Sequence, residues 1–118
     1  MHARQLITVI RRDAVAEAAE IFRAEIVPLL RQQHGFVGTM LLVDPQSGSA
    51  QFVTCWRTRT DLAKLGESRF FEAQVDRLAR FFTTKPEVHI LDVCAFEGHD
   101  HETPAGHDPI ACLTEGHR

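Results

Sequence analysis

Met40-Leu41-Leu42-Val43, running into Asp44-Pro45-Gln46-Ser47-Gly48, is the stretch on which the fold turns. A strand with one wet face alternates apolar and polar residues, whereas a strand covered on both faces reads as an unbroken apolar run. These four residues make such a run, and the five that follow carry the residue types of a turn. Residues 6–10, 36–43, 52–56 and 88–96 share the same two-sided apolar character. Only two long helical segments separate the four strands, and two helices cover one face of a small sheet. A second copy of the chain is expected to cover the other.

The elements follow from local pattern. Residues 4–11, rich in β-branched side chains, predict the first strand, and Asp13 follows as a candidate N-cap. Val15, Ala18, Ala19, Phe22, Ile26, Leu29 and Leu30 recur at offsets that trace one stripe of a helix. Pro28 falls inside that stripe, and a helical proline costs about 3 kcal/mol and bends the rod, so a kink is expected there. Gly35 ends the helix in the left-handed conformation. Residues 36–43 and 51–57 form a hairpin across the turn. Thr60 or Asp61 then caps a stretch containing Leu62 and Leu65, and Gly66 interrupts it. Phe71, Val75, Leu78 and Phe82 form the apolar face of a longer helix, and Pro86 leads into the strand at 88–96.

The order β-α-β-β-α-β, with right-handed crossovers, puts both helices on one side of a four-stranded antiparallel sheet. That is a ferredoxin-like α+β fold. Two such sheets packed face to face would make a dimeric α+β barrel, a homodimer burying on the order of 2,000 Å² or more. Residues 1–97 are assigned to this domain. Residues 98–118 show no helical or strand period and hold Pro104, Gly106, Pro109 and Gly116, which reads as a tail or as an arm across the partner.

Composition narrows the partners. A chain of 118 residues has room for one core, and 44% hydrophobic with 25% charged residues is ordinary for a globular domain. Its net charge of −3, without a basic stripe, points away from nucleic acid. No apolar run approaches the roughly 18 residues of a membrane span, and residues 1–5 lack a signal-peptide core. Cys55, Cys94 and Cys112 form no CxxC pair, so reduced thiols in a cytoplasmic protein are expected.

Few residues carry recognisable chemistry. Trp56 is either a pocket wall with an indole N–H for a ligand oxygen or a core aromatic bonded to a backbone carbonyl. His89 shares a strand face with Leu91 and Val93, either as a base or as an interface histidine holding one hydrogen bond. His34, before Gly35, either serves the helix C-terminus or faces a pocket mouth. Phe70, Phe71, Phe81 and Phe82 pack a core or line a cavity. His99, His101, His107 and His117, with Asp100, Asp108 and Cys112, match no zinc spacing, so no metal site is assigned; a metal-dependent interaction of the tail is the outlying alternative. Phosphate loops, nucleophile elbows and paired catalytic carboxylates are absent.

Four segments carry a family resemblance: Ile26-Val27-Pro28-Leu29-Leu30, His34-Gly35-Phe36-Val37-Gly38, Phe52-Val53-Thr54-Cys55-Trp56, and Leu62 through Ser68-Arg69-Phe70 to Leu78. Across residues 4–96 the chain resembles the antibiotic biosynthesis monooxygenase family of the dimeric α+β barrel superfamily. The resemblance implies a homodimer with a cavity between sheet and helices, and oxidation of an aromatic or quinone-like substrate by O₂ without metal, flavin or other cofactor. It implies that Trp56 contacts the substrate; the residues assigned to the site are Trp56, orienting the substrate, His89, moving a proton, and Phe36, Phe52 and Phe71, lining the cavity. The polar residue the family pattern places four positions before the tryptophan is here Phe52. The haem-degrading branch is disfavoured, since Val75 stands where its iron-binding histidine would be and residues 6–10 hold no asparagine. A non-enzymatic ligand-binding or stress-responsive dimer on the same fold is the alternative.

Overall fold

Strands β1 (His2–Val9), β2 (Phe36–Val43), β3 (Ser49–Trp56) and β4 (Glu87–Asp92) pair into one antiparallel sheet of order β2-β3-β1-β4. The structure is a computed structural model describing residues 1–98, so the reading of the tail beyond residue 98 lies outside the described residues. Register fixes the two faces, because residues paired across strands point the same way. His2, Arg4 and Leu6 lie opposite Trp56, Thr54 and Phe52, and Phe52 lies opposite Leu41. This is the face that meets the helices.

The first helical rod comprises α1 (Val15–Ile21), a π-helical turn (Phe22–Ile26) and α2 (Val27–Arg31). The perturbation expected at Pro28 is this wide turn, in which Val27 N–H bonds back to the Phe22 carbonyl. Proline has no N–H and its ring crowds the carbonyl four residues earlier, so the turn before it opens. The wider turn has a packing benefit. At about 100° per residue, the four-residue steps from Phe22 to Ile26 to Leu30 would drift by about 80° in a pure α-helix. All three side chains are instead buried in the core. Asp13 is not a side-chain cap; it sits inside a 3₁₀ turn, Arg12–Ala14, whose start is Arg11.

The second helical region is α3 (Arg59–Glu67) and α4 (Arg69–Leu78), followed by a 3₁₀ turn, Ala79–Phe81. The cap of α3 is Thr58, not Thr60 or Asp61: its Oγ1 accepts the Asp61 N–H at 3.0 Å. Gly66 does not break the helix. A Cβ there would come within 2.5 Å of an Arg4 guanidinium nitrogen, so glycine makes room for Arg4 beneath α3. The break falls at Ser68, whose extended backbone ends α3 and whose Oγ accepts the Phe70 N–H to start α4.

β4 also ends earlier than its apolar run, at Asp92 and not at Phe96. Its partner β1 begins at His2, opposite Asp92, and the ladder ends with that pair. All six of its residues are exposed, Val88 and Ile90 on the helix side included, because among the described residues no helix packs closely against this sheet edge. The far face of the sheet presents Ile7, Met40, Leu42, Val53 and Leu91 around a Gln5–Gln51 amide pair of 2.8 Å. It is therefore apolar with a polar centre, and Met40, Leu42 and Leu91 are about half exposed. No helix among the described residues is long and apolar enough to cross a membrane.

Candidate functional site

Two hollows on the helix side hold the side chains that could do chemistry. The first, about 50 Å³, lies between the sheet and α4, walled by Leu6, Phe22, Phe52, Phe71, Val75 and Phe82. Alternation in β1 and β3 sends Leu6 and Phe52 inward, and the helical period of α4 aligns Phe71, Val75 and Leu78 against them. Three polar residues border this apolar space: Arg4, Thr54 and Gln74. The Arg4 guanidinium stacks on the Phe71 ring, 4.3 Å from its centroid. Burial lowers the Arg4 pKa from its ordinary value, yet an arginine in a protein keeps its proton.

The second hollow, about 210 Å³, opens between the end of α2 and α3 and is lined by Gln33, His34, Trp56, Asp61, Lys64 and Ser68. Its centre is an ionisable pair. His34 Nδ1 lies 2.8 Å from Asp61 Oδ1, while Oδ2 accepts the Thr58 hydroxyl at 2.8 Å. The hydrogen bond from His34, then that from Thr58, hold the Asp61 carboxyl below its ordinary pKa. Asp61 is buried and His34 is exposed, so the carboxylate orients the imidazole from beneath and leaves Nε2 toward solvent. Gly35 makes this approach possible. Its φ of +82° turns the chain into β2, and the absent Cβ would overlap the Asp61 carboxylate. A carboxylate-oriented imidazole at a cleft mouth can accept or deliver a proton.

Trp56 separates the two hollows. It is fully buried, packs edge-on against Phe36 at 5.6 Å between centroids, and donates Nε1–H to Thr54 Oγ1 at 3.0 Å. Its indole wall faces the polar cleft, while Thr54, its acceptor, faces the Phe-lined cavity. The acceptor is a side-chain hydroxyl and not a backbone carbonyl.

Phe52 and Phe71 thus meet in one cavity, and Phe36 braces Trp56 behind it. His89 is elsewhere. It pairs with Gln5, on the opposite face of the sheet from Trp56, is exposed, and has Glu87 at 4.0 Å as its ionic neighbour. The structure does not bring His89 to the cavity. Cys55 projects from that same far face, and burial pushes its thiol pKa up, which suits packing better than nucleophilic chemistry.

Sequence reasoning passed over Arg4, Gln74 and Asp61. Each carried a signal. Arg4 shares strand parity with Leu6, Gln74 lies on the α4 stripe between Phe71 and Leu78, and Asp61 sits three residues after Thr58 in the spacing of a capping box.

No protein-family model matches the chain, and no curated protein matches it. Solved structures match well in fold. A crystal structure of an antibiotic biosynthesis monooxygenase superposes with a TM-score of 0.63 at 21% identity, covering 80% of this chain and all of that one. Rv0793 from Mycobacterium tuberculosis gives 0.62 at 18%, covering 82% and 98%. A monooxygenase from the ActVA-Orf6 gene of Streptomyces coelicolor, solved with the ligand nanaomycin D, gives 0.67 at 9%, covering 83% and 92%. The chain has the ferredoxin-like fold of these structures.

Proposed function

We propose that this protein is a cofactor-independent monooxygenase acting on an aromatic or quinone-like small molecule, and that it works as a homodimer. The observation that carries the reading is the cavity of Phe22, Phe52, Phe71 and Phe82 between sheet and helices, on a fold shared with a monooxygenase solved with nanaomycin D. Apolar walls with a few placed polar groups suit a flat aromatic ligand. The chemistry needs little from the protein. Deprotonation of a ring methylene gives an enolate, the enolate carbon adds O₂, and the resulting hydroperoxide loses water to leave a carbonyl. Both oxygen atoms are accounted for, one in the product and one in water.

In this reading Phe52 and Phe71 clasp the ring, and Trp56 acts through Thr54, holding a residue of the cavity wall in place. His34, held by Asp61 at the adjoining cleft, is an exposed imidazole on the helix side. Half-exposed Met40, Leu42 and Leu91 support pairing of two sheets through their far faces. Oxygen uptake with a panel of anthrones and hydroquinones tests the reading. Uptake should saturate with substrate and fall at least tenfold in Val75→Phe, which fills the cavity from α4. Equal uptake in the variant would remove the cavity from the reaction.

One observation favours the non-enzymatic alternative, a ligand-binding dimer. The His34–Asp61 pair opens into the polar cleft, so the Phe-lined cavity itself contains no group that titrates near neutrality. Tight binding without oxygen uptake would select it.

A further inference from the structure

Two residues that line the Phe-lined cavity each hold a buried polar atom with no hydrogen-bond partner: Nε of Arg4, a donor, and Oε1 of Gln74, an acceptor. No other buried side-chain nitrogen or oxygen among the described residues is left in that condition. Unpaired buried polar groups are costly and native proteins keep few of them. Two such atoms on residues lining one apolar cavity have a hydrogen-bonding capacity that the described residues do not use.

Their chemistry specifies an occupant that would use it. Arg4 forms no ion pair with a carboxylate among the described residues, and no acid lines the cavity. Among the described residues its charge meets the face of Phe71, a weaker partner than an anion. A cation drawn partly out of water attracts an entering anion more strongly than it would in bulk solvent. Gln74 Oε1 can only accept, so it selects an O–H or N–H and repels a second oxyanion.

We infer that the cavity takes a planar apolar ligand bearing one anionic oxygen, which Arg4 pairs, and a neighbouring hydrogen-bond donor, which Gln74 accepts. This rests on the ligand-cavity reading above and adds to it the charge of the ligand and the two residues that recognise it. The anionic oxygen belongs to a carboxylate or to an ionised enol or phenol; a guanidinium serves either. The present space of about 50 Å³ is smaller than the roughly 150 Å³ cavity that receives one benzene ring. Entry therefore displaces Phe70 and Phe71, both half-buried at the start of α4. Moving Phe71 uncovers Arg4, and the anion takes the place of the ring face.

Calorimetric titration of the full chain with naphthoate, its neutral isostere naphthamide, and hydroxynaphthoquinone as its enolate tests this. Wild type should bind the tighter of the two anions at least tenfold more strongly than naphthamide, and which anion that is separates carboxylate from enolate. Arg4→Met should bring both anions to within twofold of naphthamide without changing the naphthamide affinity. Gln74→Leu should weaken naphthamide, which has N–H donors, and leave naphthoate within twofold. The absorbance of bound hydroxynaphthoquinone should show its hydroxyl ionising at lower pH on wild type than on Arg4→Met. If wild type binds naphthamide as well as both anions, or the preference survives Arg4→Met, the assignment to Arg4 is overturned and the ligand cavity stands. An unchanged naphthamide affinity in Gln74→Leu overturns the role of Gln74. If none of the three probes binds, the cavity reading falls and takes the inference with it.

Discussion

Replacing Gly35 by alanine should damage the protein far more than one methyl group suggests. Gly35 has φ +82°, a conformation that costs an L-residue roughly 1–2 kcal/mol. The new Cβ would also sit inside van der Waals contact of the Asp61 carboxylate and 2.6 Å from the Asp61 Cβ. Overpacking of this kind typically costs a further 1–3 kcal/mol or so. Asp61 cannot step aside cheaply, because its backbone N–H and carboxylate are both tied to Thr58 at the start of α3. The sum is on the order of 2–5 kcal/mol, against a total stability of roughly 5–15 kcal/mol for a domain. For a chain of this size it corresponds to a fall in Tm of about 10 °C or more. Urea unfolding followed by tryptophan fluorescence measures it, with Gly38→Ala as the matched control. Gly38 has no positive φ and nothing within 4 Å of its would-be Cβ, so its alanine variant should stay within about 0.5 kcal/mol of wild type. If the two variants unfold at the same urea concentration with the same m-value, the account of Gly35 and of the His34–Asp61 contact beside it is wrong.

Three further outcomes are expected. Because the Asp61 carboxyl titrates below its ordinary range when folded, the unfolded chain binds the proton first as pH falls. Stability from this group is complete above the ordinary carboxylate range and is lost through the depressed folded value; urea midpoints across an acid pH series should show the slope in wild type, and a slope undiminished in Asp61→Asn would refute it. Thr54→Val leaves the buried Trp56 N–H without its acceptor and should cost about 1–3 kcal/mol by urea unfolding; a loss under about 0.5 kcal/mol would mean that the indole finds another partner. Met40→Asp combined with Leu42→Asp puts two charges on the far sheet face and should convert the proposed dimer to a folded monomer by sedimentation velocity, whereas an intact dimer would place the interface elsewhere.

Much of the fold was legible because its determinants are local. The 3.6-residue stripe of Phe22, Ile26 and Leu30, the two-residue alternation of Leu6 against Phe52, and the turn after Val43 lie within short windows of chain. Their faces follow from backbone geometry that every residue shares. Strand alternation and helical period placed Phe52 and Phe71 toward one interior, whereas His89, expected at the site, lies with Leu91 on the other side of the sheet. Where local pattern misled, a distant residue had intervened. Gly66 reads as a helix breaker until Arg4, some sixty positions earlier, is found in the space its side chain would fill. The apolar run through Phe96 reads as strand until its ladder with β1 proves to end at the His2–Asp92 pair.

Order, periodicity and facing direction were thus written in the chain itself, since each is a repeat of backbone geometry over a few residues. The meeting of His34 with Asp61, the thread from Trp56 through Thr54 to the cavity, and the unpaired Arg4 and Gln74 emerged only from tertiary structure. Register and helix packing bring such groups within hydrogen-bond reach or leave them stranded. Neither distance nor the lack of a partner has any signature along a one-dimensional chain.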